Sequence, residues 1–397
     1  MSLAEIAEFF DVFALSPEGW PVHCNLTTPN DAALARWPHW PSAALPSAGR
    51  AASGHGVTAQ LALISGLGEA VEVASLCRWG DEATEKAHEK DLPGEVWSAN
   101  TLAGFSQDQR SNREEWNAHL KGTDWIAPNP DTTETEWVQI VDLTGAAVWV
   151  PAQAVFLGEH RSGDPEAILV ADTNGCAAGS SDSAAQAGAL LELIERDAAG
   201  RWWYGCRARH HLADTMLDDA GRHLIEACRT VGLATRLFDI TSDIGVPVVA
   251  AVGQSAKAPP ALGFAAAPTF QAAALKALAE MAQMALVFQG GVGEARPGLE
   301  TWAQEAGDHA PPLSLGAPPS AIPPNVPTSI GTRLQDAGIR VAFLCQTRPE
   351  FSVPVWRALS PDLCHWKPRF GRSRLLAPDD RDLTTVSAAP NPVLLRI

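Results

Sequence analysis

The sequence predicts an α/β fold in which strands feed three repeated, acid-bearing helices. Two internal repeats and the loops before them carry that expectation. The first repeat is a helix plan present three times with one spacing. It reads Thr58, Ala62, Gly66, Glu69, Glu72, then Ser181, Ala185, Ala189, Glu192, Glu195, then Thr269, Ala273, Ala277, Glu280, Gln283. The second is a strand, turn and strand pattern: Gly232 to Val248 parallels Gly338 to Val355, with one extra residue before the proline. Gly54 and Gly56, Gly175 and Gly179, and Gly263 stand in the loops that precede the three helices.

The helix plan has a physical reading. A hydroxyl at the first position suits an N-cap, because its oxygen accepts from a free backbone N–H of the first turn. The small residues four apart, and the acid three beyond them, fall within roughly 60° of one another around the helix. That face is able to approach another helix or a ligand closely. A glycine loop meeting a helix start exposes backbone N–H groups and makes an anion site, so a phosphate fits there. Glu69, Glu72, Glu192, Glu195 and Glu280, with Gln283, occupy corresponding positions and together require positive charge. All-oxygen ligands favour magnesium or calcium over zinc, and magnesium is usually shared with substrate phosphates. The residues therefore point to a magnesium nucleotide.

Taken in order, the first fifty residues offer a short strand near Trp20 to Val22 and a proline-spaced loop to Arg50. The first acid helix follows and closes near Cys77. From Asp81 to Asp131 the chain turns polar and tryptophan-dotted, which reads as a surface insertion with a helix through Gln107 to Leu120. Thr135 to Val141, Ala146 to Val155 and Ala167 to Val170 read as strands leading into the central loop. In the later repeat, helices end near Val231 and Asp336, turns start at Thr241 and Thr347, and second strands begin at Pro247 and Pro354. The first copy runs directly into the third acid helix, so sheets and acid helices belong to one architecture. Pro311 to Pro327 is rich in Pro, Ala and Ser and reads as an exposed loop.

The 397 residues suffice for a sizeable core. With Lys+Arg 29 against Asp+Glu 46 the chain is acidic, which argues against nucleic acid and suits a basic peptide. No run of about eighteen apolar residues is evident for a membrane span, and Met1 to Asp11 lacks signal-peptide regions, so a cytoplasmic location is expected. Seven scattered cysteines, never in a C-x-x-C pair, indicate neither a disulfide framework nor a zinc site. His210 and His211 are adjacent and cannot share a helical face, whereas His55 sits in a G-H-G loop where an imidazole can touch phosphate or peptide. Arg348, Arg357, Arg369, Arg372 and Arg374 form a late basic cluster facing either the triphosphate or the peptide.

The stretch Asn174 to Asp197 resembles the signature of the YcaO family, S-N-G-x-A-x-G-N-T, then an E-A pair and E-x-x-E-R-D. Ser65, Glu69 and Glu72 resemble that family's S-x-x-x-E-x-x-E-R element. Lys276, Ala277, Leu278, Glu280 and Gln283 resemble its R-A-L-x-E-x-x-Q element. The resemblance implies a single YcaO-type domain over 1–397, with mixed sheets and the three helices around an ATP and magnesium site. It further implies an enzyme that phosphorylates a backbone amide oxygen of a ribosomally made precursor peptide. The products are azolines from Cys, Ser or Thr by cyclodehydration, or thioamides made with a TfuA-type partner. Peptide recognition falls to a separate partner protein, ubiquitin-activating-enzyme-like or TfuA-type, and a homodimer stays open.

Carried onto this chain, the resemblance gives magnesium to Glu69, Glu72, Glu192, Glu195 and Glu280. It gives the nucleotide to Ser65, Asn174, Ser180, Arg196, Lys276 and Gln283, and the catalytic roles to Glu192, Glu195, Arg196 and Lys276. The chain departs from the family pattern at His55 for lysine, Val73 for arginine, Ser180 for asparagine and Ala184 for glutamate. Those departures frame a third reading, a degenerate nucleotide-binding scaffold. The ending P-N-P-V-L-L-R-I keeps only two prolines, where many azoline-forming relatives carry a proline-rich tail.

Overall fold

The structure is a computed structural model that describes residues 3–38, 51–120, 122–128, 134–158, 160, 162–255, 259–289, 302 and 329–396. The expected loop at 311–327 lies outside the described residues.

Each acid helix follows an edge strand of a different sheet. The first unit runs α1 (Leu3–Ala7), β1 (Phe10–Ala14), β2 (His23–Pro29), α2 (Asp31–Arg36), β3 (Ala52–Gly56) and α3 (Ala59–Leu76), with sheet order β1-β2-β3. The strand expected at Trp20 to Val22 starts at His23. Thr58 caps α3 by accepting from Leu61 N–H at 3.2 Å.

Next come β4 (Glu85–Ala87), β5 (Glu95–Val96), α4 (Ala99–Ala103), α5 (Gln107–Ser111), α6 (Arg113–His119), β6 (Thr135–Asp142), β7 (Ala147–Pro151), β8 (Cys176–Ala178) and α7 (Asp182–Tyr204). The third unit is α8 (Asp219–Thr230), β9 (Ala234–Asp239), β10 (Val248–Gln254), β11 (Ala261–Ala266) and α9 (Phe270–Phe288), in sheet order β11-β10-β9. Finally α10 (Ile330–Asp336), β12 (Ala342–Cys345) and β13 (Val355–Leu359) complete a seven-stranded sheet of order β5-β7-β6-β12-β13-β8, with β4 beside β6. Its one parallel pair is β5 with β7, so the sheet is mixed.

Burial explains the strand composition. Val248, Ala250 and Val252 of β10 pack toward α7, and Val249 and Ala251 toward α8 and α9. A strand covered on both faces reads as a continuous apolar run, as V-V-A-A-V-G does. The small-residue faces of the acid helices meet strands rather than other helices. A Cβ on Gly54 of β3 would lie 2.2 Å from Gly66 N, and one on Gly263 of β11 would lie 2.3 Å from Ala277 O.

Three local expectations change. The single helix over 107–120 is two, because Asn112 leaves helical geometry and its side chain bonds Asp108. The stretch 81–131 is woven into the large sheet through β4 and β5, and Trp97, Leu102, Phe105, Leu120 and Ile126 pack under β6 and β7. Residues 167–170 form no strand, since Gln153 Oε1 accepts the Ile168 and Leu169 N–H groups in place of a neighbouring strand. The later repeat is retained down to one bond: Val248 N–H donates to Thr241 Oγ1, and Val355 N–H to Thr347 Oγ1, both at 3.0 Å.

By length and composition α3 is apolar enough to cross a membrane, contrary to the expectation that no such run exists. It is instead packed on β2 and β3 as the central helix of its unit.

Candidate active site

An edge strand leaves every second N–H unpaired, and a buried unpaired N–H is costly. In β8 the outward groups are those of Cys176 and Ala178. Cys176 N–H donates to Glu192 Oε2 of the following helix at 3.0 Å, and Ala178 N–H to Glu72 Oε2 of the preceding unit at 2.9 Å. The same pair recurs in β11, where Phe264 N–H donates to Glu280 Oε2 at 2.5 Å and Ala266 N–H to Glu195 Oε2 at 3.2 Å. The first acid of a helix thus holds its own strand sixteen residues back, and the second holds the strand of the next unit.

The third unit closes the circle on the first. Gln283, the counterpart of Glu72 and Glu195, hydrogen-bonds the side chain of His55 on β3. His55 stands where the other units have Ala178 and Ala266, and its N–H donates to Ser65 Oγ at 3.4 Å. The repeat is therefore a cyclic assembly of three strand–helix units.

At its centre the carboxylates face one cation. Arg196 Nη2 is 3.1 Å from Glu192 Oε1, and Nη1 is 3.3 Å from Glu195 Oε1. Its counterparts in the other units are Val73 and Met284, so the ring carries one guanidinium against five carboxylates. Burial, then repulsion from Glu192 and Glu280, pushes Glu69 up to about 7, with Arg196 opposing. Burial pushes Glu195 up to about 8, Arg196 again opposing and Glu280 adding to the rise. Glu72, Glu192 and Glu280 are all raised, chiefly by burial, although the backbone N–H donors favour their charged forms, as do Arg196 for Glu192 and Glu280 and Arg357 for Glu72. Raised acids in this number are a standing demand for positive charge.

A cavity of about 690 Å³ opens beside the ring, lined by Ser65, Glu69, Glu72, Ser180 and the turn Ser352–Pro354 among others. Its size is that of a small-molecule site. Ser352 holds φ +55 there, a left-handed backbone conformation uncommon outside glycine.

The sequence-predicted residues divide accordingly. Ser65, Ser180, Glu69 and Glu72 line the cavity; Glu192, Glu195, Glu280 and Arg196 stand in the ring; Gln283 closes it on His55. Asn174 lies across the central loop, lining a second, smaller cavity with Arg357. Lys276 is exposed and forms no ion pair with the ring among the described residues. The late arginines are no surface patch. Arg348 forks onto Asp81, Arg369 onto Asp124, and Arg374 bridges Asp197 and Asp243. The backbone donors at 176, 178, 264 and 266 were not read from the sequence, although extending the repeat backward to the position sixteen before each first acid would have found them.

Magnesium shared with a nucleotide needs one or two carboxylates plus phosphate oxygens rather than a closed protein cage. The donor set suits that demand: four acids each accept a backbone N–H at one oxygen, and the second oxygens of Glu192 and Glu195 already face a cation, Arg196.

Fold and site define an α/β protein whose cyclic repeat concentrates carboxylates beside a ligand-sized cavity. The chain belongs to the YcaO family: residues 53–364 match the family model described as YcaO cyclodehydratase, ATP- and Mg2+-binding. An uncharacterized protein of Methanothermobacter thermautotrophicus is 28% identical over 296 residues, 65% of this chain and 75% of that protein. A heterocyclase solved in complex with substrate and cofactor superposes with TM-score 0.79 at 24% identity, covering 96% of this chain and 54% of its own. The YcaO protein from Methanopyrus kandleri bound with AMPPCP and Mg2+ superposes with TM-score 0.61 at 22% identity, covering 91% and 90%. The chain thus spans about half the length of that heterocyclase.

Proposed function

We propose that this chain is an ATP-dependent enzyme that activates a backbone amide oxygen of a ribosomally made precursor peptide, most directly for cyclodehydration of Cys, Ser or Thr to azolines. The observation that carries the reading is the ring of five carboxylates, Glu72 buried and the other four half-buried, with raised pKa values around Arg196 and beside a cavity of about 690 Å³. Glu69, Glu72, Glu192, Glu195 and Glu280 would hold magnesium, which supplies charge neutralisation for phosphate oxygens. Ser65, Ser180, Asn174, Arg196 and Gln283 would hold the nucleotide, with Lys276 reaching from the exposed face of α9. Phosphoryl transfer asks mainly for such positioning and charge compensation.

In the ring-forming reaction the substrate side-chain nucleophile adds to the preceding carbonyl carbon. The former carbonyl oxygen takes the γ-phosphoryl group, leaves as phosphate, and loss of the amide proton forms the C=N bond. The nucleophile belongs to the peptide, so the chain needs no triad of its own. Leader recognition is assigned to a separate partner protein.

Thioamide formation is the second reading, with external sulfur in place of the side-chain nucleophile and a TfuA-type partner. It is favoured by the packing of the segment 393–395 into the core instead of toward the carboxylate ring: Val393 and Leu395 are buried, and Trp203 Nε1–H donates to Val393 O at 2.7 Å. Tyr204, which receives Leu395 N–H, lies nine residues, about 13 Å of helix, beyond Glu195. The intact mass of a precursor co-expressed with the chain and its partners separates the readings. Loss of water that disappears in Glu192→Gln supports cyclization, exchange of oxygen for sulfur supports thioamidation, and an unchanged mass with intact nucleotide binding supports the degenerate scaffold.

A further inference from the structure

Behind the central loop lies a second cavity of about 50 Å³, lined by Asp172, Asn174, Arg357, His365, Arg369 and Arg372 among others. Its cations are unevenly matched. Arg369 pairs with Asp124 at 2.7 Å and Lys367 with Asp172 at 2.8 Å. Asp362, near Arg372, is committed to Arg340.

Arg357 and Arg372 are left with neutral acceptors. Arg357 is 1% exposed; its Nε donates to Gln346 Oε1 at 3.1 Å and its Nη1 to Asn174 O at 3.5 Å, while Nη2 has no partner. Among the described residues Arg372 donates to the carbonyls of Thr101, Leu102 and Pro361 and to no carboxylate. Arg372 also packs over Gly104, where a Cβ would lie 2.7 Å from its Nε. A buried guanidinium without a counter-charge, as Arg357 is, costs several kcal/mol in order of magnitude, and each buried donor left without a partner calls for one.

We propose that this cavity is a binding site for a small inorganic anion, held between Arg357 and Arg372. A single water needs about 10–15 Å³ of such space, so this cavity admits a few heavy atoms, the size of phosphate or hydrosulfide and not of a nucleoside or peptide. His365 stands neutral beside it, burial and then Arg369 pushing its pKa down to about 4, so it accepts or donates without adding charge. The acid influence that Arg357 does meet is Glu72, which already receives the Ala178 N–H.

The cavity shares its loop with the ring: Asn174 lines it, Cys176 two residues on holds Glu192, and Leu193 forms part of its wall. An anion here would be the phosphate released by ring formation or the sulfur nucleophile of thioamidation. That assignment, though not the site itself, rests on the function proposed above.

The test is the thermal midpoint of the full chain without nucleotide, titrated separately with inorganic phosphate and with sodium hydrosulfide at constant ionic strength. Wild type is expected to gain a saturable rise of about 2–5 °C with at least one anion. Arg196→Gln is expected to keep that rise, and Arg357→Gln and Arg372→Gln to lose it. Using two arginine variants guards against one of them failing to fold. Response to phosphate alone identifies the product, and response to hydrosulfide alone identifies the sulfur source; either supports the site. No rise with either anion overturns it, as does a rise lost in Arg196→Gln but kept in the cavity variants, which would place the anion in the carboxylate ring. Binding of AMPPCP with Mg2+, titrated separately, tests the proposed function independently.

Discussion

Glu72 and Ala178 are 106 residues apart, yet Ala178 N–H donates to Glu72 Oε2 at 2.9 Å. This bond joins the helix of one unit to the edge strand of the next. Its role is both structural, as the acceptor for an edge N–H, and electrostatic, as a buried negative charge.

The two roles separate by substitution. Glu72→Gln keeps an acceptor for Ala178 and removes a charge whose protonation the site already favours, so stability without ligand should hold or rise. Glu72→Ala strips the acceptor and should cost about 1–3 kcal/mol. Urea unfolding of both variants checks this; equal losses would mean that the bond contributes nothing.

The ring should also set a pH dependence. Glu69 and Glu195 rise from an ordinary value of 4.5 to about 7 and about 8 on folding. The folded state therefore binds more protons than the unfolded one between those limits, and stability falls as pH rises through the window. The slope is at most about 1.4 kcal/mol per pH unit for each group. Asp124 and Asp172, whose pKa values are lowered, act in the opposite sense and only below about pH 4. Thermal midpoints from pH 6.5 to 8.5, above the range in which the lowered His55 and His365 act in the opposite sense, should decline without ligand and flatten with AMPPCP and Mg2+, whose binding should itself release protons. A midpoint that climbs over this range would show the carboxylates to be ionised already.

How far the sequence reached is clear from particular residues. Thr58, Ser181 and Thr269 were legible as caps because capping is local, and each accepts from the third residue of its helix. The acid positions were legible because the repeat preserved their spacing. What the acids hold was not, since Glu72 with Ala178 and Glu195 with Ala266 are long-range pairs set by which strand lies at a sheet edge. Residues 167–170 misled by composition: apolar burial looks alike whether a strand or Gln153 takes the N–H groups.

Gln153 gives a direct test of that substitution for a strand. Its Oε1 accepts Ile168 N–H at 2.8 Å and Leu169 N–H at 3.4 Å in a buried setting. Gln153→Ala should lose about 2–4 kcal/mol by orphaning them, and Gln153→Glu considerably less where the carboxylate is ionised. Hydrogen exchange at 168 and 169 reads the same bonds; unchanged protection in Gln153→Ala would show that another group satisfies them.

Gly54 tests the close approach of β3 to α3. A Cβ there meets Gly66 N at 2.2 Å and Ala62 O at 2.4 Å, both backbone atoms with no rotamer to yield. Gly54→Ala should destabilise by at least about 2 kcal/mol, whereas Gly68→Ala, where a Cβ meets nothing within 4 Å, should be neutral or stabilising. Comparable losses at both positions, measured by chemical denaturation, would contradict the packing of this unit.

One residue beyond Arg196, α7 turns a different face to a different network. Asp197 is fully buried; it accepts from Cys364 N–H at 2.9 Å and from Arg374 Nη2 at 3.0 Å, and Asp243 holds both Arg374 and Arg201. Arg207 pairs with Asp382 and Arg209 with Asp379, so the segment after β13 is fastened to α7 and to the stretch that follows it by alternating charges. Arg374 keeps Asp243 when Asp197 is neutralised, so Asp197→Asn should cost about 1–3 kcal/mol, less than a fully stranded buried charge would. Arg374→Met in the same chain should cost less than it does in the wild type, because its bond to Asp197 is already weakened. A double-mutant cycle by denaturant unfolding measures the coupling, expected at about 1–3 kcal/mol. Strictly additive losses would mean that Asp197 is held by Cys364 N–H alone and that the ionic fastening of this segment to α7 contributes little.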